Sequence, residues 1–144
     1  KHSILAETVE KQFSEKDYDR EMLLWGAEMT WKTGLSRAAF LTRISKQFLR
    51  TDARKCADFL LGAVLAEDIE AVKRNSALDI SDNTEVIIAG KEPLKSAMLD
   101  LFVRDGTFSK VRGYDMEGET PLSGYGMCVV AEYRRKKKEG NGYE

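Results

Sequence analysis

Apolar residues recur at helical spacing through the first half of the chain, where three successive segments each show one apolar face. The first segment follows Asp17, a residue type that caps helices, and is closed by Gly34. The second segment begins after Ser36, and a longer third begins at Thr51 or Asp52. The apolar positions of the second and third segments are Phe40, Leu41, Ile44, Phe48, Leu49, Cys56, Phe59, Leu60, Ala63, Val64, Ala66 and Ile69. The pattern predicts three consecutive helices.

The period changes at residues 85–90, where a short unbroken apolar run ends in a glycine. Such a run is typical of a strand buried on both faces. Glu92 and Pro93 suit the first turn of a following helix, because proline fits the N1 position and a carboxylate complements the helix dipole. Residues 108–112 predict a second strand, parallel to the first if the intervening helix is the crossover. The predicted fold class is α/β, with helices packed on a small, mostly parallel sheet.

A final helix is expected after Thr120, a capping residue that precedes Pro121. We expect its buried side to be formed by Leu122, Tyr125, Val129, Val130 and Tyr133. Residues 134–138 then supply five consecutive positive charges, which we interpret as a solvated, frayed helix end. This divides the chain into one domain at 1–133 and a basic tail at 134–144.

Length and composition fit a protein with a substantial core, since 42% of the 144 residues are hydrophobic and 33% are charged. No apolar run approaches the roughly 20 residues that cross a bilayer, and the first residues lack the layout of a signal peptide. Cys56 and Cys128 form no CxxC pair, so we interpret them as small buried hydrophobes in a reducing compartment. We therefore expect a cytoplasmic protein with no membrane partner.

The formal net charge of −1 hides an asymmetry, because five of the 23 basic residues lie at 134–138 and leave 18 basic against 24 acidic residues elsewhere. A basic run of this kind can bind phosphate polymers, but this one has no interleaved aromatic residues. We therefore expect no nucleic-acid partner.

The sharpest candidate for chemistry is Gly90, which ends the predicted strand just before a helix. A glycine there lets a ligand approach the backbone at a helix N-terminus, where phosphates and nucleotides bind. The surrounding residues form neither a GxGxxG fingerprint nor a Walker loop. The alternative interpretation is that Gly90 only makes the turn and that Lys91 is solvated.

No metal site is expected. His2 is the only histidine, which excludes a histidine-rich metal site. Two acidic groups are interpreted as solvated or helix-capping residues: Glu67, Asp68 and Glu70, and Asp115, Glu117 and Glu119.

Six short motifs follow one another along the chain: His-Ser-Ile-Leu at 2–5, Trp-Gly at 25–26, Phe-Leu-Thr-Arg at 40–43, Phe-Leu-Leu-Gly at 59–62, Glu-Asp-Ile at 67–69 and Val-Ile-Ile-Ala-Gly at 86–90. Each motif is unspecific alone, but their order and spacing resemble the C-terminal half of the 2-dehydro-3-deoxygalactonokinases. The likeness spans almost the whole chain. It is looser at 107–120, and the basic tail does not match.

The resemblance implies one domain of an ATP- and Mg²⁺-dependent kinase of the actin, hexokinase and Hsp70 type, in which two RNase H-like domains enclose a cleft. This family phosphorylates the 6-hydroxyl of 2-dehydro-3-deoxy-D-galactonate. Its Asp-x-Gly-x-x-Asn-like phosphate segment and its Thr-Gly-Glu segment precede the matching region and are missing from this sequence. The catalytic residues are therefore expected upstream of Lys1, in an N-terminal partner domain, and the 144-residue chain alone is expected to be inactive.

Within this half, the resemblance implies that Gly90, Lys91 and Leu94 contact the adenosine and that Arg43 and Asp68 serve the substrate or the domain interface. The chain departs from the family after Gly90, where relatives carry a small or hydroxyl-bearing residue and this sequence has Lys-Glu. Two other hypotheses stay open: a non-catalytic helical interaction module with a kinase-like fold, and a nucleic-acid binder acting through 134–138. Homo-oligomerisation also stays open.

Overall fold

The computed structural model describes residues 4–10, 17–78, 80–115 and 122–140. Its elements are α1 (Ile4–Val9), α2 (Arg20–Thr33), α3 (Leu35–Leu49), α4 (Ala53–Lys73), β1 (Glu85–Ala89), α5 (Leu94–Asp105), β2 (Lys110–Tyr114) and α6 (Leu122–Gly140). The two strands form a small parallel sheet, and most of the described residues are helical. This confirms the α/β class, whereas the RNase H-like topology stays a prediction.

The ends of the three predicted helices are set by local capping. The side chain of Asp19, rather than Asp17, caps α2 by accepting hydrogen bonds from two backbone N–H groups of the first turn. Gly34 ends α2 as predicted, with a φ of 85° that favours glycine, and α3 begins directly after it. The expected capping role of Ser36 is therefore wrong, whereas Asp52 caps α4 as predicted.

Two glycines allow α2 and α4 to cross with their backbones in contact. A Cβ atom added at Gly26 would lie 1.9 Å from the carbonyl oxygen of Phe59, and one added at Gly62 would lie 1.9 Å from the carbonyl oxygen of Leu23. The two helices therefore meet through a reciprocal pair of glycines. This explains physically why the Trp-Gly and Phe-Leu-Leu-Gly motifs occur together in one chain.

The main core lies where α2, α4, α5 and the sheet meet. Its buried members are Leu23, Ala27, Leu65, Ala66, Ile69, Ile88, Ala97, Leu101, Phe102 and Phe108. Cys56 belongs to a smaller buried cluster, and burial raises the pKa of its thiol, which keeps it protonated and unreactive. Cys128 is exposed, so the interpretation of this cysteine as buried is wrong.

The sheet is covered on one face only. Ile88 is buried, but its neighbours Ile87 and Ala89 are exposed, so the prediction of a strand buried on both faces is wrong. The reason is that successive side chains of a strand alternate between its faces, and the described helices pack against one of them. The second strand also begins later than predicted, and Phe108 precedes it as a core residue whose ring contacts Phe102.

The chain divides into two compact units, Lys1–Gly113 and Tyr114–Glu144. In the second unit, α6 continues through the basic run as far as Gly140. The expected buried side of this helix is wrong, because Tyr125, Val129, Val130 and Tyr133 are all about half exposed or more. The physical reason is that no other described helix lies within this unit to cover them. The expected caps, Thr120 and Pro121, lie outside the described residues.

In the described part of the chain, no helix combines the length and apolarity needed to span a bilayer.

Candidate functional site

The turn after β1 is open to solvent. Gly90, Lys91 and Leu94 are all exposed there, and their closeness follows from the tight strand–turn–helix connection. The φ of Gly90 lies outside the left-handed region, and a Cβ atom added there would meet nothing within 4 Å. The fold itself therefore does not require glycine at this position. Free space beside the backbone is what ligand contact needs, and such contact stays a prediction for these three residues.

The N-terminus of α5 is occupied by a side chain of the chain itself. The carboxylate of Glu92 accepts hydrogen bonds from the backbone N–H of Ser96 (3.2 Å) and from Nζ of Lys95 (3.0 Å). Hydrogen bonds from the side chains of Ser96 and Lys95, with a smaller contribution from the Ser96 backbone, hold the pKa of Glu92 below its usual range. Pro93 is the cap residue rather than N1, because α5 begins at Leu94. A carboxylate therefore stands where a bound phosphate would sit in a helix-terminus site.

A cleft of about 240 Å³ adjoins this turn. The residues that line it are Asp17, Tyr18, Asp58, Leu61, Glu92, Pro93 and Leu94. They come from three places: the segment before α2, the middle of α4, and the start of α5. The walls are mostly apolar and the polar groups at the edge are carboxylates. Such a cleft suits a flat apolar group with N–H donors at its edge better than it suits a phosphate.

Asp58 is the most unusual residue of the cleft because it is a carboxyl with only 2% of its surface exposed. Its Oδ2 accepts a hydrogen bond of 2.9 Å from the backbone N–H of Asp19. Burial raises the pKa of Asp58, and this effect exceeds the opposing effects of the Asp19 hydrogen bond and of Arg54. Sequence reasoning missed Asp58, although a carboxylate directly before Phe59 on the buried side of a helix was the available signal.

Tyr18 is held in place at the cleft by a polar network. Its hydroxyl donates to Oδ2 of Asp100 (2.9 Å), and Nε of Arg20 donates to the same oxygen (2.9 Å). Burial and the hydrogen bond to Asp100 raise the pKa of Tyr18 well above its usual value, so the hydroxyl stays protonated. The network ties the segment before α2 to α5 and fixes one wall of the cleft.

We expect the Asp58→Asn variant to lack the pH dependence of stability that the titration of Asp58 causes. Because the folded-state pKa of Asp58 is raised, its contribution is fully present below the unfolded pKa and is lost as pH rises through the folded pKa. Asparagine keeps an acceptor for the Asp19 N–H and carries no charge, so near neutral pH the variant should be more stable by about 1 kcal/mol. The charged groups that face Asp58 are Asp17, Asp19 and Arg54, and all three are unchanged in the variant.

Urea unfolding of both chains from about pH 4 to about pH 8 measures this difference. The free energy of unfolding of the variant relative to the original chain should rise across this range. Parallel curves would show that Asp58 does not titrate as its burial implies.

A second, wider depression lies between the end of α2, the start of α3 and the last turns of α4, with a volume of about 680 Å³. Glu70 lines it and is paired with Lys73 and Arg74, so its interpretation as a solvated residue is wrong. Thr30 Oγ1 and Trp31 Nε1, also from this region, have no hydrogen-bond partner in the structure. Both atoms are shielded from the surface, which leaves them unable to reach a ligand in this depression.

The other predicted residues lie away from the cleft. Arg43 is half-buried in the middle of α3, and Asp68 is exposed on α4. Neither lines the cleft, and their role at a substrate or a domain interface stays a prediction. His2, Glu117 and Glu119 lie outside the described residues. Among the described residues, no three His, Cys, Asp or Glu side chains are placed to hold a metal ion.

Comparison of the chain with models of protein families, with curated proteins and with solved structures finds no match.

Proposed function

We propose that this chain is the nucleotide-side half of an ATP-dependent sugar-acid kinase, which transfers the γ-phosphoryl group to the 6-hydroxyl of 2-dehydro-3-deoxy-D-galactonate. The observation that carries the proposal is the open turn at Gly90 beside the apolar cleft that Leu94 lines. Ligands of open α/β sheets bind at the carboxyl ends of strands, and this turn is such an end. The order of the six sequence motifs supports the choice of this family.

In this proposal the cleft receives the base of the nucleotide. Pro93 and Leu94 pack against its ring, and Gly90 leaves room for the ribose to approach the backbone. The phosphates extend away from the cleft, because the carboxylate of Glu92 already occupies the N-terminus of α5. Lys91 is the cation next to their path.

A second domain is needed to bind the phosphates, the metal and the sugar acid. Phosphoryl transfer depends on positioned phosphates, Mg²⁺ and an oriented hydroxyl, which are electrostatic tasks. The described residues form no metal site of their own, so Mg²⁺ enters this proposal with ATP as the MgATP substrate. Exposed apolar side chains, such as Ile87 on the open face of the sheet, are consistent with a covering N-terminal domain.

The test compares the 144-residue chain with the same chain joined to the polypeptide encoded immediately upstream of it. With MgATP and the keto-deoxy sugar acid, the joined protein should release ADP at a rate that depends on the sugar acid, and the chain alone should not. Coupled measurement of ADP release reports both rates. Turnover by the chain alone would contradict the division of labour, and no turnover by the folded joined protein would contradict the kinase assignment.

A non-catalytic interaction module is the second candidate. The observation that favours it is the outer face of α3, where Phe40 and Phe48 are 58% and 73% exposed. Titration of the ¹⁵N-labelled chain with ADP separates the two candidates. Shifts confined to Gly90, Lys91, Leu94 and the cleft favour the kinase, whereas no shift at millimolar ADP favours the module.

A nucleic-acid binder acting through 134–138 makes a different prediction. Its affinity for a nucleic acid would fall with salt and would be lost when these residues are deleted. A salt-dependent affinity that survives the deletion, or no affinity at all, would remove this candidate.

A further inference from the structure

The cleft beside the β1–α5 turn contains one carboxyl whose hydrogen-bonding capacity is half used. Oδ2 of Asp58 accepts from the Asp19 N–H, while no described residue donates a hydrogen bond to Oδ1. Asp58 is almost fully buried and yet lines the cleft. A hydrogen bond to a carboxylate in a mostly apolar cleft is stronger than the same contact in water, so a ligand that donates to Asp58 gains from it.

The other residues that line the cleft restrict the kind of ligand that can donate this hydrogen bond to Asp58. Leu61, Pro93 and Leu94 offer apolar surface, which suits a flat ring system. Asp17 and Glu92, which pair with Arg54 and Lys95, place two more acceptors at the cleft, and acceptors favour a ligand with N–H donors over an anion. The fitting chemistry is an aromatic heterocycle that carries an amino group.

We propose that Asp58 selects adenine over hypoxanthine by accepting a hydrogen bond from the 6-amino group of adenine. The inference rests on the proposed function and names the residue that determines nucleotide specificity. A base with a carbonyl at position 6, such as hypoxanthine, would turn an acceptor toward the carboxylate and be rejected, because a buried polar pair without a proton between its members is unfavourable.

The side chains that line the cleft are held in fixed positions before a base binds. Tyr18 is fixed by its hydrogen bond to Asp100, and Asp58 is fixed by the Asp19 N–H. Leu61 lies directly before Gly62, at the crossing where α4 touches the backbone of α2. Little reorganisation is then needed when a base enters, which is what selectivity between similar rings requires.

Asp58→Asn tests the proposal through a change of preference. The asparagine carbonyl takes over the Asp19 N–H, which leaves the amide NH₂ facing the cleft as a donor. The affinity for ADP should fall about tenfold and the affinity for inosine diphosphate should rise, so the ratio of the two affinities should invert. Calorimetric titration of the 144-residue chain with each nucleotide measures the ratio, and the melting temperature confirms that the variant is folded.

The matched control is Asp82→Asn, which removes one exposed carboxylate from the loop before β1 by the same substitution. It should leave both affinities unchanged. A folded Asp58→Asn chain that keeps the original preference for ADP would overturn the role of Asp58 while leaving the kinase proposal standing. If the original chain binds neither nucleotide, both the inference and the proposed nucleotide site are wrong.

Discussion

Replacing Gly62 with alanine is expected to destabilise the first unit by about 3 kcal/mol or more, and Gly26→Ala by a similar amount. The added Cβ of residue 62 would lie 1.9 Å from the carbonyl oxygen of Leu23, a backbone atom that cannot move by rotation of a side chain. The two helices would have to separate and would open the core around Leu23. Intrinsic propensity acts in the opposite direction, since alanine in a helix is favoured over glycine by roughly 1 kcal/mol.

Urea unfolding monitored by tryptophan fluorescence measures this effect, because Trp25 packs edge-to-face on Phe59 at the same crossing. The control is Gly126→Ala in α6, where a Cβ atom would meet nothing within 4 Å. That variant should keep or slightly raise the helix content. If Gly62→Ala behaves like Gly126→Ala, the close crossing of α2 and α4 is wrong.

Asp105→Asn is expected to cost about 3 kcal/mol, because it leaves a partly buried lysine without one of its carboxylate partners. Oδ1 of Asp105 accepts from Nζ of Lys73 at 2.7 Å, and Oδ2 accepts from the backbone N–H of Thr107 at 3.3 Å. The Asp105 side chain is only 8% exposed. The pair joins the last turn of α4 to the end of α5, and the Thr107 contact fixes the connection that leads to β2.

The same pair predicts an acid-sensitive stability. Burial raises the pKa of Asp105, but the hydrogen bonds from Lys73 and Thr107 outweigh this effect and hold it below its usual value. The stabilisation is therefore present above the unfolded pKa and is lost as pH falls through the folded one. Asp105→Asn should be less stable near neutral pH and should lack this loss on acidification.

A double variant, Lys73→Met with Asp105→Leu, distinguishes the contribution of the two charges from that of the surrounding packing. Replacing both charges with apolar groups should recover part of the loss, since removing a buried pair as a whole is often close to neutral, whereas the Thr107 N–H loses its acceptor and Glu70 keeps only Arg74. Equal destabilisation by the single and double variants would show that shape at this position matters more than charge. Unfolding by urea at neutral and at acidic pH provides all of these comparisons.

The helices were predictable because their ends depend on local chemistry. Gly34 and Asp52, one of the two caps expected for α4, act within a few residues of their own position and were placed correctly, whereas Asp17 and Ser36 do not cap α2 and α3. The burial of the strand was not predictable in this way. An unbroken apolar run such as 86–89 looks the same whether one or both of its faces are covered, and its cover comes from distant elements. The exposed apolar side of α6 has the same cause.

The candidate site also has one part that depends on local sequence and one part that depends on the packing of distant elements. Gly90, Lys91 and Leu94 lie close together because they are near neighbours in the chain, so their proximity was predictable from the sequence, and their contact with a ligand stays a prediction. Tyr18 and Asp58 belong to the cleft only through the packing of α2, α4 and α5. The only local signal for this part of the site was Asp58, a carboxylate on the apolar side of the third predicted helix. Its position in a cleft requires the three-dimensional structure.

The reciprocal glycine contact also has a mechanical consequence for the cleft. Main chain touches main chain at the crossing, so α2 and α4 have no layer of side chains that could slide or repack between them. Leu61 lies within α4 and Tyr18 lies just before α2, so both are held by this crossing. The hydrogen bonds of Tyr18 and Arg20 to Asp100 tie α5 to the same body, so the walls of the cleft keep their spacing when a ligand enters.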